Sequence, residues 1–279
     1  MKYTIITDSS CNLFAGDFND GNIDFHVAPI ILILDDKEYA DTDALDVQEF
    51  VTAMCASKSV KSACPSPQSY LDKMEGGDNI IVLPTSSKLS GSYQSAVIAS
   101  EMFKEKYPER NIYVADSLSA ACGIDYILLQ LRDIIESGEK DFDGTVERLC
   151  GIISKTRVKF LLQDLNNLMK NGRLGKVTGK ILTLANIKLI CGDDGNGEIK
   201  KYGMSLGTRR GLKSMAEMPG KEIDDKNSLI IVNHVNNERD ATFLQNILES
   251  KFGFKNVVVR EMRATASMYA ASKGLSMAY

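Results

Sequence analysis

The chain has 279 residues, with 33 Lys+Arg against 37 Asp+Glu and a net charge of −4, a balance that excludes a strongly basic nucleic-acid binder. Hydrophobic residues at 44% and charged residues at 25% are the proportions of a folded soluble chain and exclude intrinsic disorder and collagen-like repeats. No run of about 18 apolar residues occurs, so no transmembrane helix is expected; the first residues read as a strand and not as a signal peptide, which makes a cytoplasmic location the expectation.

In chain order, residues 3–7 form a strand candidate ending at Asp8-Ser9-Ser10. Residues 23–34 are strand-like, and Asp35-Asp36 turns the chain into 38–40. Val47–Ala56 has helical spacing. The stretch KSVKSACPSPQSY reads as a surface loop with a helix start, because Pro65 and Pro67 hold it extended and open the next helix. Residues 80–83 form a buried strand candidate ending at Pro84-Thr85-Ser86-Ser87. Ser92–Lys106 is a predicted helix, with Ala96, Ala99 and Phe103 at three- and four-residue spacing. Residues 112–115 form a short strand ending at Asp116-Ser117, and 126–135 an apolar-rich helix. Strands separated by such helices predict parallel β-α-β units, whose ligands bind beyond the carboxyl ends of the strands. The three hydroxyl-rich or acidic strand ends cap the following helices or form a polar binding rim; three on one sheet edge favour the rim.

The second half differs. Residues 158–162 are a strand candidate and 165–170 a short helix ending at Asn171-Gly172. Residues 187–191 and 198–202 alternate in polarity around 192–197, which predicts a β-hairpin. Residues 229–233 and 257–259 are strands, and between them Phe243, Leu244, Ile247, Leu248 and Phe252 share one helix face. The expected fold is therefore α/β in two domains, 1–155 with a mostly parallel sheet and flanking helices, and 156–279 with a mixed sheet and a hairpin.

The six cysteines are Cys11, Cys55, Cys64, Cys122, Cys150 and Cys191, with no Cys-x-x-Cys pair, and the histidines are His26 and His234. Neither a zinc ribbon nor a redox pair fits, and no metal is expected. GRLGKVTGK (172–180) fails as a phosphate loop: three residues separate Gly175 from Gly179, and Ile181 follows Lys180. GMSLG (203–207) matches the nucleophile elbow G-x-S-x-G and would make Ser205 the nucleophile of a serine hydrolase, with Asp224 or Asp225 and His234 after it. The segment preceding it is a hairpin arm, a poor central strand. The richest stretch is 85–93, TSSKLSGSY, with five Ser or Thr residues and Tyr93 between a strand and a helix. Hydroxyls beside a helix N-terminus suit a carboxylate or phosphate. No neighbouring base is present to activate a serine, which favours binding over catalysis.

Taken together, IITDSS (5–10), LPTSSKLSGSYQSA (83–96), ADSLSAACG (115–123), LNNLMKNGRLGK (165–176), IKLICGDDGNGEI (187–199) and RRGLKSM (209–215) resemble, in order, the motifs of the DegV family of bacterial lipid-binding proteins. The resemblance implies a two-domain α/β protein that binds one long-chain fatty acid, such as palmitate or oleate, between its domains without catalysis. It further implies that a separate fatty acid kinase subunit phosphorylates the bound carboxylate, with no other cofactor and at most transient membrane contact. Position by position, the family's T-S-Q-P loop falls on Ser62-Ala63-Cys64-Pro65, so Ser62 keeps the hydroxyl ligand while Ala63 and Cys64 depart from the pattern. The second ligand falls on Ser87, with Ser86 beside it, and Arg173 matches the family's arginine near the carboxylate. The family's C-terminal histidine falls on Tyr269, which can donate to a carboxylate but cannot supply an imidazolium charge. A carrier or sensor of another anionic amphiphile is the remaining alternative to the hydrolase and the fatty-acid carrier.

Overall fold

A computed structural model describes residues 2–18, 21–138, 141–162, 164, 166–173 and 187–279. The chain opens with β1 (Tyr3–Asp8), followed by β2 (Ile23–Ala28), β3 (Ile31–Leu34) and β4 (Lys37–Ala40). The single strand expected over 23–34 is thus two: Pro29 lacks the N–H that a ladder needs and breaks the run between them. The expected Asp35-Asp36 turn joins β3 to β4, with Asp35 at φ 53. Helix α1 (Val47–Ala56) starts on Asp46, whose carboxylate accepts from the backbone N–H of Gln48 and Glu49. The region expected to be a loop holds a strand, β5 (Val60–Ala63), before α2 (Pro67–Met74) begins on Ser66 and Pro67. Its half-exposed side chains hid the strand from a hydrophobicity reading.

Then come β6 (Asn79–Leu83), α3 (Ser92–Lys106), β7 (Asn111–Val114) and α4 (Cys122–Ser137). Helix α5 (Phe142–Lys155), which the sequence reading did not single out, leads to β8 (Val158–Leu161) and α6 (Asn166–Lys170). The hairpin is β9 (Ile187–Asp193) with β10 (Ile199–Leu206). Last are α7 (Thr208–Glu222), β11 (Leu229–His234), α8 (Glu238–Ser250), β12 (Asn256–Glu261), α9 (Ala264–Ala270) and β13 (Leu275–Ala278). Of the glycine–lysine segment 172–180, positions 174 onward lie outside the described residues.

Among the described residues the strands make three sheets. One is parallel throughout, in the order β2-β1-β6-β7; one is mixed, in the order β10-β9-β8-β13-β11-β12; a small antiparallel sheet has the order β4-β3-β5. β1 is buried along its whole length, as a central parallel strand covered on both faces must be. On one face of the parallel sheet, Ile6, Ile80 and Val82 pack on α2 and α3. On the other face, Ile5, Ile81 and Leu83 pack on α4 and α5 in a core that also takes in Leu229, Ile231 and Ala278 of the mixed sheet. Helix α4 is therefore buried nearly all round over 122–131, with Ile124, Leu128 and Leu131 fully buried, and is polar on its outer side only in its last turns. The far face of the mixed sheet, with Ile230, Val232 and Met277, packs on α7 and α8. The layers run α2/α3, parallel sheet, α4/α5, mixed sheet, α7/α8. The small sheet, α1, α6 and α9 form a further body over one edge, and a cavity lies beneath it.

Candidate functional site

The carboxyl ends of β1, β6 and β7 meet at one edge of the parallel sheet, as the rim of strand ends predicted. Asp8 ties the first two: its carboxylate accepts from the backbone N–H of Ser10 at 3.1 Å and of Thr85 at 2.8 Å, and from the Thr85 hydroxyl at 2.8 Å, while Asp116 after β7 accepts from the Ser87 N–H at 3.1 Å. The Ser10 hydroxyl lies 2.7 Å from that of Thr85; because Thr85 gives its proton to Asp8, Ser10 is the donor between them. A parallel arrangement holds Asp41. Its carboxylate accepts from the Thr265 N–H at 2.8 Å and the Thr265 hydroxyl at 2.5 Å, and Ser9 stands 3.3 Å behind Thr265. Burial pushes the Asp41 carboxyl above the usual range, against the hydrogen bonds of Thr265 and the charge of Arg263.

Ser10, Thr85 and Thr265 sit on the wall of a cavity of about 430 Å³, within the range of small-molecule sites, with the two carboxylates behind them. Ile30, Phe160, Leu162, Leu168, Ile199 and Met262 give it a mainly apolar lining drawn from the mixed sheet and the covering body. The mouth is polar. Ser62 of β5 and Tyr269 of α9 place their hydroxyl oxygens 2.8 Å apart, both half-buried. Arg173, just after α6, donates through Nε to the Leu89 carbonyl at 3.1 Å and through Nη1 to the Asn171 carbonyl. Asn171 donates to the Val60 carbonyl at 3.1 Å and Asn167 to the Met268 carbonyl at 2.7 Å, so α6 is fastened to β5 and α9 and the mouth is assembled from four segments.

The structure thus brings Ser62, Arg173 and Tyr269 to one opening. It places Ser86 and Ser87 elsewhere. Ser86 is fully buried outside the cavity lining; its hydroxyl donates to the Gly197 carbonyl at 2.9 Å and rivets the β6 loop to the β9–β10 turn. Gly197 has φ +90, and a Cβ there would stand 2.4 Å from the Ser86 oxygen, so the rivet needs glycine. Ser87 is exposed and lines a shallow outer depression that shares Ser90, Gly91 and Arg173 with the cavity. Ser90 holds the wall position instead, because the Leu89 and Ser90 N–H groups both close back on the Ser86 carbonyl and wind the loop by one tight turn. Sequence reasoning placed Ser10 and Thr85 in the predicted rim and Ser90 in the ligand loop without choosing any of them as a ligand, and it missed Thr265. The hydroxyls of Ser10, Thr85 and Ser90 were visible in the motifs, but the turn that aims Ser90 was not.

The hydrolase reading is overturned. β10 is the edge of the mixed sheet, with three strands between it and β11, so Ser205 and His234 are separated by four interstrand spacings, roughly 19 Å. The Ser205 hydroxyl donates to the Gly207 carbonyl at 3.0 Å. Burial holds the His234 imidazole below its usual pKa, and its Nδ1 accepts from the Asn237 N–H at 3.3 Å. Among the described residues no cluster of ligating side chains could hold a metal, and no helix is long and apolar enough to cross a membrane. What the cavity can do is bury a long apolar body and hold a polar or anionic end at its mouth.

Comparison with known proteins supports that reading of the shape. The model of the DegV family of uncharacterised proteins matches residues 2–279. A DegV domain-containing protein of Streptococcus pyogenes serotype M1 is 30% identical over 282 residues, covering 100% of this chain and 99% of its own. The fatty acid kinase B3 protein of Streptococcus pneumoniae, solved loaded with linoleic acid, is 30% identical with a TM-score of 0.92, covering 100% of this chain and 99% of its own. A DegV-family protein of Ruminococcus gnavus, refined with vaccenic acid, is 28% identical with a TM-score of 0.92, covering 99% of each chain.

Proposed function

The chain belongs to the DegV family, and from that premise we propose that it binds one long-chain fatty acid in the cavity, carboxylate at the mouth and tail inward, without transforming it. The observation that carries the proposal is the contrast between an apolar interior and a mouth built from Ser62, Tyr269 and Arg173. The two hydroxyls share one proton in their own hydrogen bond and retain a second to donate outward. Arg173 adds a fixed positive charge. A carboxylate entering a protein needs such donors, or it takes up a proton instead. The α3 N-terminus at Gly91 and Ser92 turns its positive end toward the same opening. Each CH₂ buried along the tail contributes about 0.8 kcal/mol, partly offset because free lipid is already sheltered from water.

Within this reading Ser62, Tyr269, Arg173 and Ser90 contact the carboxylate, Ser86 holds the frame, and Ser87 faces the outer depression. The chain acts as two lobes, 1–155 and 156–279: the parallel sheet lies in the first, the mixed sheet in the second, and the cavity wall draws on both. A carboxylate at an open mouth is within reach of a second protein, so the chain presents its acid to a separate kinase subunit, in keeping with the name of the Streptococcus pneumoniae relative.

Native mass spectrometry of the purified protein, followed by denaturing extraction, tests the proposal. The expected result is one fatty acid per chain. An empty chain that also refuses palmitate and oleate overturns it.

A further inference from the structure

We propose that Tyr70, buried behind the mouth, is a positioning residue for the carboxylate: acting through Ser92, it turns the Ser90 proton outward to the ligand. This rests on the fatty-acid reading above and adds to it a relay of three hydroxyls.

Tyr70 lies on α2, in the core that α2 shares with Ala96, Ala99 and Phe103 of α3. It is fully buried, and its hydroxyl has no hydrogen-bond partner among the described residues. The Ser92 hydroxyl stands beside it. Burial, with the Asp8 carboxylate nearby, pushes the phenol well above its usual pKa, so Tyr70 keeps its proton and has it to donate. Asp8 already accepts from Thr85 and Ser10, which leaves Ser92 as the acceptor for Tyr70.

Ser92 opens α3 and is itself fully buried. Its hydroxyl lies 3.0 Å from that of Ser90, and its N–H donates to the Ser90 oxygen at 3.2 Å. Ser90 is half-buried and lines both the cavity and the outer depression, as Arg173 does. An anion at the mouth makes the protons run one way. Tyr70 gives its proton to Ser92, Ser92 gives its own to Ser90, and Ser90, an acceptor twice over, has its proton free for the carboxylate. The reverse order turns the Ser90 proton inward and leaves the buried phenol proton with no acceptor. Hydroxyls joined in this way polarise one another, so Ser90 at the end of the relay is a stronger donor than a lone serine. The phenol that stands unpaired in the empty protein is paired when the ligand arrives.

The test compares palmitate with hexadecanol, which keeps the chain but replaces the anion by a neutral group that both accepts and donates. Tyr70→Phe in the full chain keeps the ring and removes the first proton of the relay. The ratio of palmitate to hexadecanol affinity should fall about threefold. The melting temperature of the empty protein should hold or rise, because an unpaired buried hydroxyl is gone. A purely structural role would weaken both ligands alike and leave the ratio unmoved. On a Ser90→Ala background, where the relay has lost its end, Tyr70→Phe should have no further effect. An unchanged ratio in Tyr70→Phe overturns the inference, as does a further fall on the Ser90→Ala background; either result leaves the fatty-acid reading standing. If hexadecanol does not bind, the palmitate affinities of the Tyr70/Ser90 cycle decide alone. A wild-type chain that binds neither palmitate nor oleate ends both readings. Should Tyr70→Phe not fold, Ser92→Ala, which breaks the relay in its middle, decides by the same ratio.

Discussion

Two groups of hydroxyls face the cavity, and they differ in where their protons go. Around Asp8 and Asp41, Thr85 and Thr265 donate to buried carboxylates, and Ser10 and Ser9 donate to those threonines. Every proton there is committed, and two carboxylates stand behind. At the mouth, Ser62 and Tyr269 bond to each other, with no carboxylate among their hydrogen-bond partners in the described residues. The first group cannot welcome an anion and holds strand ends together; the second has a proton to give. Counting hydroxyls does not locate a carboxylate site, whereas following protons does.

The sharpest way to break this comparison is to remove a carboxylate from the first group. Asp8→Ala leaves the Thr85 N–H, the Thr85 hydroxyl and the Ser10 N–H without their acceptor, all in a fully buried setting. A loss of about 3 kcal/mol or more is expected in a denaturant titration. An unchanged midpoint would show that this network does not hold the strand ends. Next in size is the pH response of Asp125. Its carboxylate accepts from Asn12 N–H at 2.6 Å, Asn12 Nδ2 at 2.8 Å and Asn233 Nδ2 at 2.6 Å, yet burial raises its pKa to about 6. The folded state therefore holds this proton more tightly than the unfolded chain. Its contribution is fully present below about pH 4 and is lost as the pH rises to about 6, a fall of about 3 kcal/mol. The stability of the wild type relative to Asp125→Asn should decline across that window, and a flat difference would remove Asp125 as its source. Gly197→Ala, which drives a methyl into the Ser86 rivet at a positive φ, should cost about 1–3 kcal/mol, read as a lowered melting temperature.

Much of the architecture was legible because periodicity and punctuation agreed. Ser92–Lys106 and Val47–Ala56 are the helices expected to the residue, and the hairpin around Gly195 and Gly197 stands where polarity alternates. β5 and β13 were not legible: each is four residues long, and short strands acquire their identity from partners distant in sequence. The same limit governed the site. Ser62 and Tyr269 lie 207 positions apart, and no local signal pairs them. The 85–93 loop was recognised as a ligand loop, but the turn that puts Ser90 rather than Ser87 on the cavity wall depends on two N–H groups sharing one carbonyl.

The smallest effect falls on the mouth itself. Ser62→Ala and Tyr269→Phe each remove one hydroxyl from a half-buried pair, and Phe keeps the ring that packs on the core of the covering body. Melting temperatures without ligand should hardly move and affinity for palmitate should fall by no more than about twofold in either single variant, whereas the double variant should lose about fivefold to tenfold, the worth of one hydrogen bond to a charged group offset by water at an open mouth. The two losses should not add, because either change leaves the surviving hydroxyl a proton free to meet the carboxylate, and the double variant alone removes both donors. Calorimetric titration of the four proteins makes this cycle. Unchanged affinity in the double variant would move the carboxylate away from Ser62 and Tyr269, and the difference between the two hydroxyl groups would then lie in structure alone.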